Sequence, residues 1–164
     1  MYIRAVRWDV KMDFLYDLFI NKFLIVGIAS WMIAQVLKVI IHAIAYRKFE
    51  LERLFGDGGM PSGHSATVAS VATMAGLCFG VGSFEFALSA ILAIIVCHDA
   101  KGVRLETGKQ AMIINEIVDT VNILTKKELP EVKLKEFVGH TPIQVGAGVI
   151  VGILNATVMY FLVW

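Results

Sequence analysis

Four stretches of this chain carry almost no charge, and their lengths decide what it can become. Residues 65–84 and 143–164 contain no Asp, Glu, Lys or Arg. Residues 23–33 are also uncharged, and the apolar character continues to Tyr46, interrupted by Gln35, Lys38 and His42. A fourth stretch, 86–97, is equally apolar but shorter. A helix needs about 20 largely apolar residues to cross the hydrocarbon core of a bilayer. Three of the runs reach that length, and the fourth must tilt, start earlier or be shielded by protein. The mean hydropathy of +0.71, with 57% hydrophobic and 18% charged residues, agrees. A soluble domain is less apolar and more charged. The expected fold is all-α, a polytopic transmembrane helical bundle of about four spans.

The 164 residues suit one integral membrane domain. We divide it into a tail (1–18), spans at about 19–46, 61–82, 84–98 and 141–164, and a polar segment, 99–140. Within that segment Ala111, Ile114, Ile117, Val118, Val121 and Leu124 recur at helical spacing, which predicts an interfacial amphipathic helix over 110–124. The second span is rich in Ala, Gly, Ser and Thr, and Gly146, Gly148 and Gly152 give the last span a similar small face. Small residues let helices approach closely in lipid, so the second span is expected at the centre. The opening residues mix Arg4, Arg7, Lys11 and Lys22 with Asp9, Asp13 and Asp17, unlike a secretory signal. Cys78 and Cys97 fall inside apolar runs and read as small buried hydrophobes. A net charge of +1 gives no case for nucleic acid.

Folded up and down, the four spans bring four separate pieces of sequence to one face: Lys38 and His42, then Pro61 to His64, then His98, Asp99 and Arg104, then His140 and Gln144. Ionisable residues at membrane depth are expensive and mark function by default. Ser62 can cap a helix starting near Gly63, and a helix N-terminus with unsatisfied N–H groups binds anions. A histidine there, His64, can donate a proton to a leaving oxygen. His140 opens another helix with Pro142 in its first turn. Gln144 lies four residues on, so its amide is expected to contact the imidazole and fix its tautomer.

Pro61-Ser62-Gly63-His64 is similar to the central motif of the type-2 phosphatidic acid phosphatase and vanadium haloperoxidase superfamily. His140-x-x-x-Gln144-Val145-x-x-Gly148 looks like its last motif, His-x-x-x-Asp-Val-x-x-Gly. With Asp99-x-x-Gly102-Val103-Arg104, Gly108-x-Gln110-Ala111 and Gly139-His140-Thr141-Pro142, the chain resembles that superfamily's small divergent branch, formerly a domain of unknown function, over roughly residues 14 to 164. The resemblance implies hydrolysis of a lipid or isoprenoid phosphate monoester through a phosphohistidine, with no metal or other cofactor. His140 would match the nucleophile and His64 the general acid, with Gln144 orienting His140. Lys38, Ser62, Gly63 and Arg104 would bind phosphate, with Asp99 behind them.

Gln144 stands where the superfamily pattern has a carboxylate, which keeps a second expectation in view: a catalytically weak relative that binds a phosphorylated lipid or a partner membrane protein. The expected partners are the bilayer and a lipid phosphate, and a homodimer is left open. Loops 47–60 and 99–140 carry ten basic residues against four on the opposing N-terminal side, Arg4, Arg7, Lys11 and Lys22. By the positive-inside rule this puts the loops, and the site, on the cytoplasmic face of a bacterial-type inner membrane.

Overall fold

A computed structural model describes residues 14–47, 58–125, 134–136 and 139–164. The tail to residue 13, the loop with Lys48 and Arg53, and most of the charged connection carrying Lys126, Lys127 and Lys133 lie outside the described residues. Among the described residues, a short helical lead-in at 14–19 is followed by five helices: α1 (Lys22–Tyr46), α2 (Gly63–Phe79), α3 (Phe84–Lys101), α4 (Val103–Thr125) and α5 (Pro142–Leu162). Among the described residues there is no strand.

Four of these helices, α1, α2, α3 and α5, begin where a side chain satisfies leading N–H groups. Asn21 Oδ1 accepts from Phe23 and Leu24 at the start of α1, and Ser83 Oγ accepts from Phe86 at the start of α3. Stops are equally local. Arg47 closes α1 in the left-handed region (φ 53°) and Gly80 closes α2 (φ 83°). Between α3 and α4 a single residue, Gly102, breaks the path, its N–H bonded to the carbonyls of His98 and Asp99. The amphipathic helix expected over 110–124 therefore begins a full two turns earlier, at Val103, and the short third span extends to Lys101. Charged residues at the span's end hid its last turn from a hydropathy reading, because helices continue through the interface once their apolar part has crossed.

Among the described residues, three helical stretches are long and apolar enough to cross a membrane: Lys22–Tyr46, the stretch Phe84–Leu124 to which α3 and α4 both contribute, and Pro142–Leu162, each holding an 18-residue window with a mean hydropathy of 2.2, 1.7 and 1.9 respectively. The fourth helix of the bundle, α2, has 17 residues and is packed against α1, α3 and α5. Its small residues explain that position. A methyl group at Gly148 would overlap the Ser62 carbonyl, and one at Gly152 would overlap the Ala66 carbonyl, so α5 lies backbone-to-backbone on α2. Gly27 admits Val71 and Thr67 between α1 and α2, and Gly76 admits the Phe86 ring between α2 and α3.

The bundle is polarised along its length. At one end Val26, Met74 and Ala156 form an apolar core, joined by Phe23, Cys78, Met159 and Tyr160. At mid-depth, Asn155 Nδ2 donates to Ser30 Oγ (2.8 Å), and Ser70 Oγ donates to the carbonyls of Thr67 (2.8 Å) and Val26 (3.4 Å). The opposite end holds buried polar groups: Gln35, Lys38, Ser62 and His140. Large exposed apolar side chains cover the outside of α1, α3 and α5, as a lipid-facing surface requires.

Gly148→Ala and Gly152→Ala should each lower the thermal unfolding midpoint in detergent, by about 1–3 kcal/mol of stability. A methyl at Gly146 meets nothing within 4 Å, so Gly146→Ala should leave the midpoint unchanged. Equal midpoints in all three would mean that α2 and α5 are not in backbone contact.

Candidate functional site

The polar end is assembled by contacts between backbone segments far apart in sequence. The Ser62 N–H donates to the Gln144 carbonyl (3.0 Å), which ties the start of α2 to the first turn of α5. The His140 N–H donates to the Ala100 carbonyl (2.9 Å), which ties the approach to α5 to the last turn of α3. Gly139, immediately before, has φ 90° and lies so close to the Arg104–Leu105 backbone that any side chain would overlap the Leu105 nitrogen. Only glycine meets both demands. Gly59 (φ 100°) similarly lies on the aliphatic stem of Lys38, whose Cγ is 3.1 Å from where a Cβ would sit.

These contacts bring His64 and His140 together. His64 is the second residue of α2 and is exposed, whereas His140, two residues before α5, is 2% exposed. Their ring centroids are 6.3 Å apart, with an interplanar angle of 75°. Two helix N-termini therefore lie side by side, each with a histidine beside it. Helix N-termini carry partial positive charge and leading N–H groups with no carbonyl one turn back to bond. Ser62 is fully buried, and its Oγ accepts from the Ser65 N–H (3.3 Å) and the Ser65 hydroxyl (3.0 Å). Lys38, 4% exposed, reaches the same end from α1.

Other expected site residues are placed differently. Gln144 was expected to hold the His140 ring. Its Oε1 instead accepts from the Thr141 N–H (3.0 Å), while the Gln144 N–H donates to Thr141 Oγ1 (3.4 Å). This is a capping box. The reason is the position of the helix start. Thr141 is the N-cap, so His140 lies outside the helix and the one-turn spacing to Gln144 does not apply. The pattern Thr141-Pro142-Ile143-Gln144 was readable as that cap. Arg104 Nε donates to Asp99 Oδ2 (2.9 Å) across the Gly102 break, and both side chains are nearly half exposed. Their backbone borders the site, but the ion pair lies at its margin. His42 stacks on Tyr46 (4.7 Å). Asn115 clamps the segment 134–136 to α4, bonding both backbone groups of Leu134 and the Glu136 carboxylate.

One buried polar residue escaped the sequence reading. Gln35, 6% exposed, lies against the first residue of α2: its Cδ is 3.9 Å from where a Cβ on Gly63 would be. The signal was a lone amide within an apolar run, one turn before Lys38.

The model of the Divergent PAP2 family matches residues 19–155, which takes in α1 to α4, the first two thirds of α5 and both histidines. The chain is also 40% identical over 154 residues to the uncharacterized membrane protein YuiD of Bacillus subtilis, covering 88% of this chain and 98% of that one. No solved structure matches significantly. With this match across the bundle and with the His64 and His140 motifs meeting at one end of it, the chain belongs to the Divergent PAP2 family.

Proposed function

We propose that the protein is a membrane phosphatase that hydrolyses a lipid or isoprenoid phosphate monoester through a phosphohistidine on His140. The observation that carries this reading is the pair of imidazoles, 6.3 Å between centroids, flanking two adjacent helix N-termini. The geometry offers each group a role. Phosphoryl oxygens sit on the leading N–H groups of α2, including that of Gly63, beside the Lys38 ammonium. With Ser65 donating to it, the Ser62 hydroxyl keeps its own proton for another of these oxygens. A ring nitrogen of His140 attacks phosphorus, the ester P–O bond breaks, and His64 gives its proton to the departing alkoxide. His64, now neutral, then takes a proton from water as the water attacks phosphorus. The N–P bond breaks, inorganic phosphate leaves, and both histidines return to their starting state. The exposed apolar flanks of α1 and α3 let a lipid tail remain in the bilayer while its head group meets the histidines.

The capping role of Gln144 supports a second reading, a phosphorylated-lipid binding protein with weak turnover. An imidazolium formed at His140 gains less from a neutral amide engaged in a helix cap than from a carboxylate.

Phosphate release from a panel of lipid phosphates by purified protein tests the first reading. His140→Ala should fall below about a thousandth of the parent rate, since no other group forms the covalent intermediate. His64→Ala should lose about 100- to 10,000-fold. Parent-level turnover by H140A would remove the phosphohistidine. Gln144→Asp should match or exceed the parent, restoring a carboxylate at a position where it can still cap α5, and Gln144→Leu should be slower; equal rates would remove Gln144 from the chemistry. Sidedness is testable at Lys135, which is exposed. In intact cells a cysteine there should resist a membrane-impermeant maleimide and react after permeabilisation. Reaction in intact cells would place the site outside.

A further inference from the structure

Gln35 has no task in the mechanism above, yet it is more than nine-tenths buried, and its Oε1 has no hydrogen-bond partner among the described residues. A buried acceptor without a donor costs free energy in any protein, and more in an apolar surround. Its place is specific. It packs over Gly63, the residue that opens α2, with Trp31 one turn before it along α1 and Lys38 one turn after. Trp31 Cδ1 comes within 3.1 Å of the Gly63 Cβ position, so the indole and the amide together cover the first turn of α2.

The N–H groups at the start of α2 are donors, as is the Lys38 ammonium one turn on along α1, and both suit ionised phosphoryl oxygens, which only accept. An amide oxygen among them cannot bind such an oxygen. It can bind a hydroxyl.

We propose that Gln35 reads the head group of the ligand, its Oε1 accepting a hydrogen bond from a hydroxyl on or next to the phosphorus. That hydroxyl is either the P–OH of a singly ionised phosphate or an alcohol on the group that phosphate esterifies. This inference rests on the phosphate reading of the site. It makes Gln35 a specificity-determining residue: a donor-bearing ligand completes the hydrogen bonding of the buried amide, and one without a donor leaves the oxygen bare.

Calorimetric titration of the detergent-solubilised protein with two phosphonates, which cannot be hydrolysed, tests it. Ethylphosphonate and 2-hydroxyethylphosphonate differ by one alcohol. Each is titrated above and below its second ionisation, into the parent and into Gln35→Met, with Gln35→Leu as a second variant. His64, His140 and Lys38 are present in all three proteins, so the difference between parent and variant isolates Gln35. No hydrogen bond within the described protein is lost by the substitution, and the variants should melt with the parent. If the alcohol is the donor, the doubly ionised hydroxyethyl compound binds the parent about fivefold more tightly than the ethyl compound. If P–OH is the donor, ethylphosphonate itself gains a similar factor on single protonation. Either preference should vanish in both variants, while doubly ionised ethylphosphonate still binds them. Parent binding with neither preference, or a preference retained in the variants, overturns the role of Gln35 alone. A parent that binds neither phosphonate overturns the phosphate reading, and the role of Gln35 with it.

Discussion

The contact between the backbones of α2 and α5 is the constraint on which the rest of the molecule depends. Gly148 and Gly152 leave no side chain between the two helices, and the Ser62 N–H reaches the Gln144 carbonyl across the gap. Lipid offers helices no hydrophobic drive to associate, so close van der Waals packing and interhelical hydrogen bonds must supply it. This contact supplies both. It also fixes the relative height of the two helices, which sets their N-termini side by side. The separation of His64 and His140 follows from that register, as does the shared positive end that the two helix dipoles make with Lys38.

A second constraint acts on His140. Its backbone is held from two directions, by the Ala100 carbonyl and by the seating of Gly139 on the start of α4. The break at Gly102 makes this possible by ending α3 just where the loop must dock. The imidazole is thus carried on a short, pinned segment next to a helix start, buried on one side and facing His64 on the other. The proposed nucleophile, held this way, loses little freedom on reaction, which is the advantage a preorganised site has over a mobile one. The apolar opposite end, around Val26, Met74 and Ala156, contributes stability without competing for the polar groups.

Much of this was legible in the sequence, for reasons that also mark where legibility ends. Apolar run length reports the helical membrane bundle, and the small residues of the second span report its central place. The chemistry-bearing residues were visible because charge and imidazole stand out against lipid-compatible sequence. What was not visible is orientation. In a bilayer both faces of a helix are apolar, so hydropathy does not say which side of α1 faces protein, and the burial of Gln35 against the start of α2 and of Lys38 against Gly59 could not be read from period. Nor could the partner of Gln144, since that depends on whether the helix starts at His140 or at Thr141. The start of α4 at Val103 depends on Gly102 and on the docking of Gly139, a contact between residues more than thirty positions apart in the chain.

The central claim is that His140, beside His64, becomes covalently phosphorylated. Purified protein mixed with a phosphorus-labelled lipid phosphate, quenched in alkali within the first turnover and digested for mass spectrometry, tests it directly. The expected result is acid-labile, alkali-stable label on the peptide carrying His140, absent from H140A and persisting longer in H64A, where water is no longer activated. Label on any other residue, or phosphate release in the parent with no label trapped at any quench time, would contradict it.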